Sequence, residues 1–142
     1  MTSAPALDSE YDDSAFPLVL VRPARIVTDD QNAAFLAALA RPLLRRERYA
    51  MVVDATRLDA GTAPQRRKLA DWIREHRALG RLYVLGTGVV MPSPVVRGAL
   101  TAVLWLQPAT APVSVTSTMA EAERWAVERL VAAGLPVPAR YR

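Results

Sequence analysis

Three times in this chain a threonine is followed three residues later by glutamine or glutamate: Thr28 and Gln31, Thr62 and Gln65, Thr118 and Glu121. This is the spacing of a capping box. The threonine oxygen accepts the amide of the third helical residue, and that residue's side chain reaches back to the threonine amide. Each box is followed by a helical pattern and preceded by a short apolar run: PLVLVR at 17–22, YAMVVD at 49–54 and PVSVTS at 112–117. The runs are too short for buried helices and rich in valine, so they read as strands. A further helix opens at Ser93-Pro94, a serine cap with proline in the first helical position. Strands that alternate with helices over short links dictate an α/β layer structure with right-handed crossovers.

Residues 24–27 either continue the first strand or form a second one after Pro23. The first helix carries Phe35, Leu36, Leu39 and Leu43 on one face, and Pro42 should end or kink it near Ala40. The run at 49–54 does not alternate, which suits a central strand buried on both sides. The second helix should reach about Leu79, with Leu69, Trp72, Ile73 and His76 inward and Gly80 as its stop. A third core strand is expected over 81–86, and Gly86-Thr87-Gly88 reads as a glycine turn. The helix from Pro94 to Leu106 is apolar almost all round. The strand at 112–117, with its serines and threonine, reads as a sheet edge. The last helix, 119–133, places Ala122, Trp125, Ala126 and Leu130 inward, and Gly134 closes it. The expected organisation is a disordered acidic tail over 1–15, one domain over 16–134 and an extended tail over 135–142.

Composition narrows the chemistry. The chain has no cysteine and one histidine, His76, which excludes disulfides, thiolate nucleophiles and histidine clusters for metals. No G-x-S-x-G elbow, G-x-G-x-x-G loop or Walker lysine is present. No enzyme activity and no cofactor are expected. No apolar run reaches the ~18 residues of a membrane span, and the first thirteen residues lack the pattern of a signal peptide, so a cytoplasmic location is expected. The net charge is +4, yet Asp8, Glu10, Asp12 and Asp13 put −4 at the start, leaving +8 on residues 14–142. The arginines that carry this excess are scattered rather than gathered on one helix, so specific nucleic-acid binding is not expected.

Three stretches resemble a known domain: Val52-Val53-Asp54-Ala55-Thr56-Arg57-Leu58-Asp59-Ala60-Gly61, Arg97-Gly98-Ala99-Leu100-Thr101-Ala102, and the helix start from Thr118 through Glu121-Ala122 to Trp125. Over roughly 16–134 the chain is similar to the STAS domain, found in bacterial anti-sigma-factor antagonists and in the cytoplasmic part of sulphate transporters. It resembles most the free-standing SpoIIAA-like branch. The resemblance implies an open mixed sheet of four or five strands with about four helices mainly on one face. It implies a bacterial regulator or adaptor that acts through a protein partner, or as a homodimer. In the antagonists the loop after the central strand reads Asp-Ser-Ser-Gly, and a serine at the next helix start is phosphorylated by a partner kinase. Here the stretch is Asp59-Ala60-Gly61-Thr62, aligned only with a one-residue gap and with no serine at the switch position.

Thr62 therefore reads in two ways. It is an N-cap, or it is a regulated hydroxyl beside an anion site. Arg66, Arg67 and Lys68 crowd the first turns of that helix, where the dipole disfavours cations and where phosphate or carboxylate binds well. Alternatively, these cations extend into water or pair with Asp54 and Asp59. Those two aspartates would serve acid–base chemistry only if they shared a pocket; otherwise they are ordinary loop residues. His76 reads as a packed, hydrogen-bonded side chain. The apolar helix, with Arg97 and Trp105, is a candidate face for a partner or a second copy. The alternative is a pocket for a lipid or other hydrophobic ligand between this helix and the sheet. The candidate partner and switch residues are Asp59, Gly61, Thr62, Arg66, Arg67, Arg97 and Trp105.

Overall fold

The computed structural model describes residues 10–142. Five strands form one sheet in the order of the sequence: β1 (Glu10–Asp12), β2 (Leu18–Arg22), β3 (Tyr49–Asp54), β4 (Val84–Val90) and β5 (Val113–Thr116). β1 runs antiparallel to β2; the other neighbours are parallel. The helices are α1 (Asp29–Ala40), α2 (Ala63–Glu75), α3 (Arg77–Tyr83), α4 (Pro94–Leu106) and α5 (Met119–Ala132). Each parallel connection steps to the next strand in the same direction, so crossovers of one hand lay their helices on one face. α1 to α4 cover that face, and α5 folds back over the other. Among the described residues no helix is long and apolar enough to cross a membrane.

The two-sided burial explains the unbroken apolar runs. In β2 and β3, Val19, Val21, Tyr49, Met51 and Val53 point to the α1–α4 side. Leu18, Ala50 and Val52 point to α5. The boxes at Thr28 and Thr62 form in full, with both reciprocal bonds present. At Thr118 only half forms: the hydroxyl takes the Glu121 amide but gives its proton to the Glu121 carboxylate, which therefore does not reach back to the cap amide. α1 ends at Ala40, and a 3-10 segment, Arg41–Arg45, carries Pro42 into the core.

Several expectations need correction. The acidic start is not all tail. Glu10–Asp12 is an edge strand, and Tyr11 lies beneath the Arg41 guanidinium at 4.3 Å. Asp13 pairs with Arg45 at 3.5 Å and Asp12 with Arg140 at 3.6 Å, so the body's arginines hold this segment. Residues 1–9 of the expected tail lie outside the described residues. Residues 24–27 form no strand. The end of the chain is held too: Leu135 and Tyr141 pack on the α5 cluster.

The second helix breaks at His76, whose backbone leaves the helical region, and resumes as α3. Gly80 lies inside α3 and is buried; a Cβ there would meet the Thr110 hydroxyl at 2.6 Å. Its glycine serves a close approach rather than a helix stop. The third core strand consequently runs over 84–90, not 81–86. Gly86 and Gly88 are in the middle of it, not in a turn. A Cβ at Gly86 would lie 2.7 Å from the Trp125 ring, and one at Gly88 would lie 3.1 Å from the Ala122 carbonyl oxygen.

Candidate functional site

The loop before α2 is tied down from within. Gly61 has φ +67°, a left-handed conformation that a side chain would strain. Its amide donates to Asp59 Oδ1 at 2.9 Å. Thr62 Oγ1 accepts the Gln65 amide at 3.2 Å, and Gln65 Oε1 accepts the Thr62 amide at 3.0 Å. Arg66 Nη1 donates to the carbonyls of Ala60 and Gly61, both at 3.0 Å. Asp59 also pairs with Arg25 at 3.4 Å. The other two cations point to acids elsewhere: Arg67 lies 3.9 Å from Asp71, and Lys68 lies 3.9 Å from Asp29. Thr62 is thus a working N-cap, and the basic cluster beside it is engaged with carbonyls and carboxylates.

Asp54 and Asp59 hold separate partners. Asp54 ends β3, bonds the Thr56 hydroxyl and pairs with Arg22 at 3.3 Å. Arg22 also reaches Glu10 at 3.6 Å. Burial pushes the Asp54 carboxyl up, but the Thr56 hydroxyl and amide, then Arg22, outweigh it and hold the carboxyl below its ordinary range.

Arg97 is a strut. Its Nε donates to the Met91 carbonyl at 2.6 Å, and its Nη2 donates to the Ser117 hydroxyl at 2.9 Å. It joins the start of α4 to the chain leaving β4 and β5. Trp105 lies two turns on and faces away, 84% exposed. With Val95 at 72% and Leu106 at 58%, it gives α4 an apolar outer edge, floored by exposed Gly98 and Ala102. The structure does not gather Arg97, Trp105 and the 59–67 loop residues into one constellation by direct contact.

A polar hollow lies beside Arg22, Asp54 and Thr56. The most apolar feature is a second, half-open pocket of about 190 Å³ between the sheet and the helices of the α1–α4 face. Its floor is Met51, Val53, Val89 and Val113. Phe35 and Leu39 of α1 close one side, and Leu69 and Trp72 of α2, with His76 at the break after it, line another. Leu100 and Leu104 of α4, with 109–111, complete it. α4 packs chiefly on α2, and Val96 and Leu100 join it to the core of this face. Tyr49 also faces the pocket; burial, then the nearby Tyr11, raises its hydroxyl well above the ordinary range, so it stays neutral. His76 Nδ1 lies 2.8 Å from the Trp72 carbonyl, and the imidazole stacks on the Trp72 ring with centroids 4.3 Å apart. This is the packed histidine that the sequence pattern indicates. The pocket's extent has no counterpart in the sequence beyond the apolar excess of α4.

The fold and this site together describe an open α/β protein with an apolar pocket between sheet and helices. No protein-family model matches the chain, and no curated protein matches it in sequence.

Proposed function

We propose that this chain is a small non-enzymatic binding protein that takes a hydrophobic ligand into the pocket under α2 and α4. One observation carries the reading. Protein interiors pack to crystal density with few voids larger than a water molecule. A half-open gap of about 190 Å³ walled by aliphatic and aromatic side chains leaves those walls without packed neighbours on the open side. Ligand sites have this character: concave, mostly apolar, with a few polar groups. The test uses indene, an uncharged bicyclic hydrocarbon, titrated calorimetrically into the full chain. Wild type should bind it. Val89→Phe, which grows from the floor into the gap, should weaken binding at least tenfold while the thermal midpoint holds or rises. Ala111→Leu is the milder second variant. Absence of binding to wild type, or equal binding by the filled variants, overturns the reading.

A second reading rests on the outer edge of α4. An exposed tryptophan beside exposed aliphatics marks protein interfaces, and the resemblance to STAS domains supports a cytoplasmic bacterial adaptor that binds a protein partner or a second copy. In this reading the contact is made by Val95, Trp105 and Leu106. The 59–62 loop supports it less, because its hydroxyl and cations are already engaged. Trp105→Asp should leave the circular-dichroism spectrum unchanged and abolish any self-association seen by sedimentation. If sedimentation gives the same mass for both proteins, self-association through α4 is discarded.

A further inference from the structure

We infer that the pocket prefers small neutral aromatic molecules bearing one hydrogen-bond donor, of the phenol or indole kind, with His76 as the acceptor. The inference rests on the ligand-binding reading and adds the ligand's chemistry.

Size comes first. An apolar cavity of about 150 Å³ is enough to hold benzene. At about 190 Å³ this pocket fits one ring or two fused rings. Charge comes second. Among the described residues no aspartate, glutamate, lysine or arginine side chain lines it. An ionised headgroup carried inside would lose its water without gaining a partner. That disfavours a fatty-acid carboxylate or an ammonium. Shape comes third: Phe35, Tyr49 and Trp72 all face the space, offering edges and faces to a flat ligand.

The donor requirement follows from the histidine. A carbonyl oxygen only accepts, so the atom 2.8 Å from the Trp72 carbonyl, Nδ1, must carry the hydrogen. In the neutral ring Nε2 is then a bare acceptor. Among the described residues nothing hydrogen-bonds to it. Stacking on Trp72, with the two planes 23° apart, holds the ring in the wall of the pocket. Three hydroxyls, of Tyr49, Thr87 and Thr110, belong to residues that also line the pocket, but a hydroxyl donates or accepts as required and so does not select. Among the lining side chains the acceptor with one fixed role is His76, and it is complemented by an N–H or O–H on the ligand.

The experiment compares indole with indene, which has the same bicyclic shape with a methylene in place of the N–H. Dissociation constants are measured calorimetrically for the full wild-type chain and for His76→Phe. The indole-to-indene affinity ratio should fall about five- to tenfold in His76→Phe, the worth of one neutral hydrogen bond. If His76→Phe does not fold, 1-methylindole against wild type replaces it, and blocking the N–H should cost a similar factor. Both ligands binding with an unchanged ratio overturns the role of His76 and leaves the apolar pocket standing. Neither ligand binding to wild type overturns both.

Discussion

The two faces of the sheet are built from the same kinds of residue and behave differently. On the α5 side small residues let the helix approach: Gly88 of β4 meets Ala122, Ala50 of β3 shares the cluster with Ala122 and Ala126, Gly86 makes room for the Trp125 ring, and the helix backbone comes close to β3 and β4. Ala122, Ala126 and Leu130 are fully buried. On the other side the spacers are Phe35, Leu39, Tyr49, Met51 and Trp72, and the helices stand off the strands far enough to leave the pocket. Large side chains filled one gap incompletely; absent side chains closed the other. Apolar content therefore does not tell a sealed interface from a receptive one. The fit between facing residues does.

The largest effect should come from filling the closed side. In Gly88→Val the new Cβ would lie 3.1 Å from the Ala122 carbonyl oxygen and 3.5 Å from its Cα. These are backbone atoms that cannot rotate aside. A loss of about 3 kcal/mol is expected, at the upper end of overpacking costs, read from urea unfolding. A loss below about 1 kcal/mol would mean that α5 slides freely, and the contrast between the faces would fail.

Truncation should separate the faces next. Leu130 is fully buried on the closed side, with no room for its neighbours to relax. Leu130→Ala should cost about 3 kcal/mol, as buried leucines do. Leu104 already borders the pocket and is only partly buried. Leu104→Ala enlarges an existing space rather than opening a new one, so about 1 kcal/mol is expected. Equal costs in the same urea series would show the two faces to be packed alike.

What the chain declared in its sequence was local. Thr28, Thr62, Ser93 and Thr118 all cap where the spacing puts them, because a cap is decided within four residues. The α/β alternation and the edge position of β5 followed from the same short-range pattern. The misplacements were tertiary. Gly80 looks like a helix stop until Thr110 is seen above it, and Gly86 and Gly88 look like a turn until α5 is laid over them. The strand at Glu10–Asp12 depends on arginines some thirty residues or more away, Arg41 and Arg45 among them, which no local pattern announces. The pocket was legible only as an apolar excess on α4. Its extent depends on how side chains from the sheet and from several helices meet, which no local pattern gives.

The smallest effect is the one that should not distinguish the faces at all. Thr62 caps α2 on the open side, and Thr118 caps α5 on the closed side, each accepting the third amide at 3.2 Å. An N-cap threonine is worth about 1 kcal/mol through that bond. Thr62→Ala and Thr118→Ala should each lower stability by that amount, and the double variant by their sum, because the sites share no partner. Both should leave indene affinity unchanged. A Thr62→Ala penalty well beyond that of Thr118→Ala, or a shift in indene binding confined to Thr62→Ala, would mean that the loop tied by Asp59 and Arg66 is coupled to the pocket. The open face would then begin at that loop, and the 59–66 segment would belong to the binding machinery rather than to the helix end alone.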